Sequence, residues 1–423
     1  MAAAFSAQSR IAQLQTYIHQ ISNTNANTTQ EQEARSKKIS EAQQQLWPFQ
    51  NQLSLLQQIN RIIQEGLSKN ESLEYLDLSN TFMSDDLAIA LARIFLVNDR
   101  IFHLNLAANL LAEKGGLAIA ADALAQNKSL QYLNLSHNCL TPKVIEALSA
   151  SLVSNTTLTY LNLSHNAQHR QIEAGTAISL ILENNRIITI LNLANMSLGS
   201  EGLSKIFVAL LQYTALRDLN IAANGLDASS MKQLAALLSS EEVAIKRLNI
   251  SANAITNEGL SMLVDSLEKN SSLQHLELSN IGNIGKEGGK YLAILLKCNK
   301  SIMIIDISKN RLGFLGMQLI AESIKENQSL SQIKIEGNNL EEAGCIFTAK
   351  ALEVNKSLSM LDLGGNNVQS TGVIYLAAML ENYHKVQYLN LSNNTINDSG
   401  IEALAPVMQH LKVLNLSDIA KII

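Results

Sequence analysis

Two hydrophobic rhythms alternate along this chain. The first is short. In residues 130–138 (LQYLNLSHN), 158–166 (LTYLNLSHN), 216–224 (LRDLNIAAN) and 386–394 (VQYLNLSNN), apolar residues hold the first, fourth and sixth positions and Asn holds the ninth. This alternation predicts a brief strand with one face buried. The second rhythm is longer. Leu260, Leu263, Val264 and Leu267 fall at i, i+3, i+4 and i+7, as do Met317, Ile320, Ala321 and Ile324, and Val373, Leu376, Ala377 and Leu380. Each set forms one apolar stripe along a helix of about three turns.

The pair of rhythms recurs thirteen times. The fourth-position anchor falls at Leu76, Leu104, Leu133, Leu161, Leu191, Leu219, Leu248, Leu276, Ile305, Ile333, Leu361, Leu389 and Leu414. Successive anchors are 28–30 residues apart, except for a last step of 25. A period this long and regular belongs to a stacked repeat. Each unit reads strand, turn, helix, turn, which predicts parallel strands on one side and helices on the other. Helices pack about 10 Å apart and strands about 4.8 Å apart, so the stack should curve with the strands on its concave side.

Two further positions carry mechanical expectations. The ninth is Asn in nine units: Asn109, Asn138, Asn166, Asn224, Asn253, Asn310, Asn338, Asn366 and Asn394. A buried amide there can bond the backbone of its own turn and of a neighbouring unit. Thr81, Met196, Ile281 and Ile419 replace it elsewhere, with Asn80, Asn195, Asn280 or Asp418 one residue earlier, and a locally different turn is expected there. Six residues after the ninth position stands Gly115, Gly202, Gly259, Gly316, Gly344, Gly372 or Gly400. A missing side chain should let the helix start pack close to the strand.

The motif N-x-S-L-x-x-L-x-L-S-x-N, followed by G-x-x-x-L-A-x-x-L, resembles the ribonuclease-inhibitor-like leucine-rich repeats across about residues 51–423. The resemblance implies an α/β leucine-rich-repeat solenoid, a horseshoe with a parallel concave sheet and outer helices. That family includes ribonuclease inhibitor, the Ran GTPase-activating proteins, the sensor repeats of intracellular innate-immune receptors, and repeat effectors of intracellular bacteria. Its members share no single activity, so the function has to be read from the surface.

Composition narrows the classes. Charged residues are only 16% and the formal net charge is −5, so there is no basic field to collect nucleic acid or anionic lipid. No apolar run approaches the ~18 residues of a membrane span. The start, MAAAFSAQSR, does not read as a Sec-type signal peptide. Three separated cysteines, Cys139, Cys298 and Cys345, fit a reducing compartment better than a disulfide framework. Asn-, Ile- and Lys-rich near-identical repeats resemble bacterial effectors, which implies action in a host cytosol.

The ends depart from the repeat. Residues 1–50 carry a stripe of Ile11, Leu14, Ile18 and Ile21, a polar stretch at 22–29, and a second helical segment running to Trp47. They are expected to form a helical N-terminal cap or extension, with 51–423 the repeat domain. After the last anchors, Leu414 and Leu416, only SDIAKII follows. The expected cover for that edge is, first, a fold-back of Ile419, Ile422 and Ile423; self-association or a natural chain that continues beyond Ile423 are the alternatives.

Catalytic chemistry finds little support. GNIGKEGG at 282–289 lacks the spacing of a phosphate loop and reads as a strand-to-helix turn. Cys139 lies near His137 but has no evident orienter or oxyanion hole, and Cys139 and Cys345 fall at core positions. HNAQHR at 165–170 holds two His, without a zinc spacing. No enzyme, metal or cofactor is expected. The fifth strand position, mostly Asn, makes a polar floor. The third and eighth positions vary and give Tyr75, His103, Tyr132, His137, Tyr160 and His165 in the first four units. Aromatic side chains on strands about 4.8 Å apart predict a protein-binding hot spot. Arg217, Lys246, Arg247, Lys309 and Lys334 read as a weaker basic patch. The expected function is a non-enzymatic protein-interaction module. A GTPase activator and a eukaryotic receptor or inhibitor domain are the alternatives.

Overall fold

The computed structural model describes residues 36–46, 70–166 and 172–419, with isolated positions 15, 54, 66 and 67. The chain divides into two compact units, Met1–Gln168 and His169–Ile423.

In the first unit, β1 (Tyr75–Asp77), β2 (His103–Asn105), β3 (Tyr132–Asn134) and β4 (Tyr160–Asn162) pair in parallel, with Leu76, Leu104, Leu133 and Leu161 in register. Helices Asp85–Phe95 and Pro142–Leu152 lie between strands. So does Glu113–Gln126, which passes through a π-helical turn at Ala118–Ala123. In the second unit, β5 (Ile190–Asn192), β6 (Asp218–Asn220), β7 (Arg247–Asn249), β8 (His275–Glu277), β9 (Ile304–Asp306), β10 (Gln332–Lys334), β11 (Met360–Asp362), β12 (Tyr388–Asn390) and β13 (Val413–Asn415) follow in chain order. All their pairings are parallel. A helix follows every strand from β5 to β12.

The two rhythms do what their periods require. The anchors of β2 to β12 are at most 1% exposed, and the helical stripe Leu260, Leu263, Val264 and Leu267 is buried. Neighbours at the third and fifth positions, on the other sheet face, are half-exposed or exposed in nearly every strand, as in β10, where Ile333 is buried between Gln332 and Lys334; Asn162 in β4 is buried. That open face is where partners can reach the chain.

The Asn positions form a bonded ladder. Asn338 donates from Nδ2 to the carbonyls of Ile307 (2.9 Å) and Ile335 (3.0 Å). Its Oδ1 accepts from the backbone N–H of Asn310 (3.0 Å) and Leu312 (3.3 Å). The expected different turns are absent. The eighth position has a left-handed φ in every unit, including Asn80, Asn195, Asn280 and Asp418. The turns of the first three are tied by the Asn of the following unit: Thr81 N–H donates to Asn109 Oδ1 at 3.1 Å, Met196 N–H to Asn224 Oδ1 at 3.0 Å and Ile281 N–H to Asn310 Oδ1 at 2.9 Å. Losing a unit's own Asn therefore leaves its own turn held.

The glycines are also needed, but not against the strand. A Cβ on Gly344 would lie 2.7 Å from Leu340 Cβ, and one on Gly400 2.7 Å from Ile396 Cγ2, both in the turn ahead of the helix. On Gly115 it would lie 2.8 Å from Asp85 Cα, at the start of the preceding unit's helix. Three glycines outside that repeat position are held tighter still, Gly288 among them, where a Cβ would lie 2.3 Å from Ile284 Cβ. Cβ atoms on Gly175 and Gly289 would come within 2.4 and 2.5 Å of Gly202 Cα and Gly316 Cα.

Residues 36–46 are helical, with Ala42 and Leu46 buried. The stripe of Ile11 to Ile21, and the tail residues Ile422 and Ile423 of the expected plug, lie outside the described residues. At β13, Leu414 and Leu416 are half-buried, whereas Leu389 and Leu391 of the preceding unit are at most 1% exposed.

Candidate functional site

Parallel register places third-position side chains directly beside one another. Across β1 to β4 this stacks Tyr75, His103, Tyr132 and Tyr160 into one ladder of rings. Centroids are 3.8 Å apart for Tyr75 and His103 (18° between planes), 3.7 Å for His103 and Tyr132 (11°), and 4.0 Å for Tyr132 and Tyr160 (13°). Strand spacing near 4.8 Å and a slight lean of each ring bring neighbours into van der Waals contact. Tyr75 is 55% exposed and the other three are half-buried.

His137 and His165 form a separate stack, at 4.0 Å and 8°. Both occupy the left-handed eighth position, with φ of 54° and 59°. His tolerates this conformation better than most residues do. Both side chains are exposed. The six expected residues thus form two parallel stacks on one unit, rather than a loose scatter of solvent-facing side chains.

The ladder's electrostatics follow from partial burial. Burial pushes the His103 imidazole below its ordinary pKa, and nearby Asp77 only partly offsets this. His165 is also lowered, by burial first and then by the charge of His137. The Tyr132 phenol is pushed well up by burial and by Tyr160. Burial alone would raise Asp77, but hydrogen bonds from Ser79 N–H (2.8 Å) and Asn105 Nδ2 (3.0 Å) bring its carboxyl below the usual range. These shifts favour the uncharged forms of His103 and Tyr132, with the Asp77 carboxylate at the β1 end.

Because the ring faces cover one another, the ladder presents ring edges and hydroxyls to the open side. Beside it, fifth-position Asn side chains each accept from the backbone N–H two residues on, as Asn134 Oδ1 does from Ser136 at 3.0 Å. The floor is thus fixed by local bonds and is not simple filler.

Other expected features resolve differently. Cys345 is fully buried, its thiol donates to the Gly372 carbonyl at 3.3 Å, and burial pushes its pKa up to about 12. Cys139 is only half-buried and Cys298 is exposed, so the core position expected for Cys139 is only partly met. The segment 282–289 is a turn with Gly282 and Gly285 at positive φ, leading into helix Gly285–Cys298. Of HNAQHR, residues 167–170 lie outside the described residues. Among the described residues, no three His, Cys, Asp or Glu side chains gather to hold a metal ion, and no helix is long and apolar enough to cross a membrane.

The basic patch is a mixed one. Lys309 lies 3.5 Å from Glu336, Lys334 lies 3.9 Å from Asp306, and Arg217 bonds the carbonyls of Thr214 and Leu216. Arg247 borders a depression of about 110 Å³ that Asp218, His275 and Glu277 also line. Reading only the cations left these acids out. Reading the third and fifth positions across units six to eight would have joined them.

Six stretches of the chain, 126–149, 154–167, 245–264, 269–293, 354–377 and 384–405, match the leucine-rich-repeat family profile. The chain is 30% identical over 253 residues to NACHT, LRR and PYD domains-containing protein 14 of Mus musculus, across 59% of this chain and 25% of that protein. It is 28% identical over 215 residues to a protein phosphatase 1 regulatory subunit 37 homolog of Caenorhabditis elegans (51% and 20%). It is 26% identical over 282 residues to the Rho GTPase-activating protein gacW of Dictyostelium discoideum (65% and 22%). The matched segments thus span a quarter or less of these relatives. Among solved structures, a chain of the Rad7 and Elc1 complex in yeast superposes with a TM-score of 0.54 at 16% identity, covering 88% of this chain and 96% of that one. With its matched repeats and its strand–helix units, the chain is a leucine-rich-repeat solenoid, a fold of protein–protein interaction modules.

Proposed function

We propose that the chain is a non-enzymatic protein-binding module. Its partner protein docks on the open sheet face of the first unit, along Tyr75, His103, Tyr132 and Tyr160, with His137 and His165 at the rim. The observation that carries this reading is the four-ring stack. Stacked rings are already fixed, so a partner that covers them loses little further side-chain entropy. Tyrosine also offers large apolar area and a hydroxyl at once, which is why it is enriched among interface hot spots. We further propose a cytosolic, reducing setting. Action there as a bacterial effector is supported by the resemblance of the repeat motif alone.

The test is affinity capture from cell lysate followed by titration of the captured protein. Replacing Tyr132 and Tyr160 together by Ala should weaken binding by at least about 1–2 kcal/mol. Unchanged affinity, with an intact circular dichroism spectrum, would move the site off the ladder. The match to a Rho GTPase-activating protein favours a second reading, acceleration of GTP hydrolysis. A screen against small GTPases separates the two, because a pure binder leaves hydrolysis rates unchanged.

A further inference from the structure

The open face of the second unit carries a site of different chemistry. Register across β6, β7 and β8 places Asp218, Arg247 and His275 side by side at the third position, with Asn249 and Glu277 beside them at the fifth. They line the depression of about 110 Å³, which has room for the charged end of one side chain.

The two carboxylates are held differently. Asn249 Nδ2 donates to Glu277 Oε2 at 2.6 Å, and His275 Nε2 lies 3.2 Å from Glu277 Oε1. These contacts hold the Glu277 side chain, and the close approach of His275 is the main cause of its lowered pKa. Asp218 is half-buried and has no such anchor. Burial raises its pKa, with Arg247 and His275 acting only through their charge and Glu277 opposing them. Among the described residues no hydrogen bond or ion pair reaches its carboxylate. A desolvated, unpaired carboxylate is costly in the free protein, and an entering cation relieves that cost. The depression sets two carboxylates, Asp218 and Glu277, against the single guanidinium of Arg247.

We propose that this depression is a second docking point, which takes the ammonium or guanidinium end of a Lys or Arg side chain from a protein partner. Asp218 supplies the unpaired acceptor, Glu277 a prepositioned one, and Arg247 swings aside. The site lies in the other unit from the aromatic ladder, and its test needs no partner, so the two readings stand or fall separately.

The experiment follows the side-chain carboxyl carbons of Asp218 and Glu277 by NMR in the full chain. N-acetyl-lysinamide is the cationic probe, N-acetyl-aspartamide the anionic one and N-acetyl-alaninamide the neutral one. Only the cationic probe should shift both carboxyls saturably. Asp218→Asn with Glu277→Gln should weaken that binding at least about fivefold, and added salt should weaken it further. Arg247→Ala, which removes the competing cation, should tighten it, and this keeps the test decisive if the double variant folds poorly. Binding of the anionic probe in place of the cationic one would assign the site to Arg247 and overturn the proposal. So would equal shifts with all three probes.

Discussion

The Asn ladder offers the sharpest test of what holds the second unit together. Asn338 is fully buried, and its side chain closes five backbone hydrogen bonds: three donated, to Ile307, Ile335 and, at 3.3 Å, Glu336, and two accepted, from Asn310 and Leu312. Ala in its place leaves the N–H groups of Asn310 and Leu312 unsatisfied in a site that water cannot reach, while the Ile307 and Ile335 carbonyls keep their bonds from Asn310 Nδ2 (3.0 Å) and Asn366 Nδ2 (2.9 Å). At about 1–3 kcal/mol for each orphaned N–H, the loss is roughly 4 kcal/mol. Asn382→Ala is the matched control, because Asn382 is exposed and makes one long bond of 3.5 Å to Ala378. It should cost no more than about 0.5 kcal/mol. Urea unfolding followed by circular dichroism gives both values. Neighbouring repeats couple only locally, so where two-state behaviour breaks down the loss shows as a separate early transition of the repeats around β9 to β11. If Asn338→Ala unfolds with the same midpoint and slope as Asn382→Ala, the ladder does not carry stability and the reasoning fails.

Further outcomes follow from the same contacts. Tyr132→Ala should cost about 0.5–1.5 kcal/mol of stability for each ring stack it removes, and Tyr132→Phe should restore most of it; equal losses in thermal melts would show that the stack is not the cause. Gly289→Ala forces a Cβ to within 2.5 Å of Gly316 Cα and should cost about 1–3 kcal/mol, with no loss in urea unfolding as the contrary result. His103 and His165 have lowered pKa values in the fold, so the unfolded chain binds more protons and stability rises with pH. Their contribution is complete above the unfolded value of about 6.5 and is lost as pH falls through the folded values; His103→Phe should flatten part of that slope in melts between neutral and mildly acid pH. In native protein a thiol reagent should modify exposed Cys298 quickly and leave Cys345, with its pKa near about 12, unreacted until the chain unfolds.

The repeat was legible in the sequence because its periods are set by geometry. A strand exposes alternate residues and a helix every third or fourth, so the anchors from Leu76 to Leu414 and the stripe from Leu260 to Leu267 locate strands and a helix directly. The six aromatic and imidazole residues were also legible, since register follows from the anchors. What the period cannot encode is distance and pairing between units. Whether Tyr75, His103, Tyr132 and Tyr160 lean into contact depends on how each side chain is oriented on its strand. The same holds for Gly289 against Gly316, which meet only because two helices approach closely. It holds for the turns at Met196 and Ile281, which are secured by Asn224 and Asn310 of the following unit. It holds also for Asp218, whose partnerless carboxylate is a property of the side chains around it and not of its place in the repeat. Local period determined the elements of this protein, and contact across units decided which of its side chains act together.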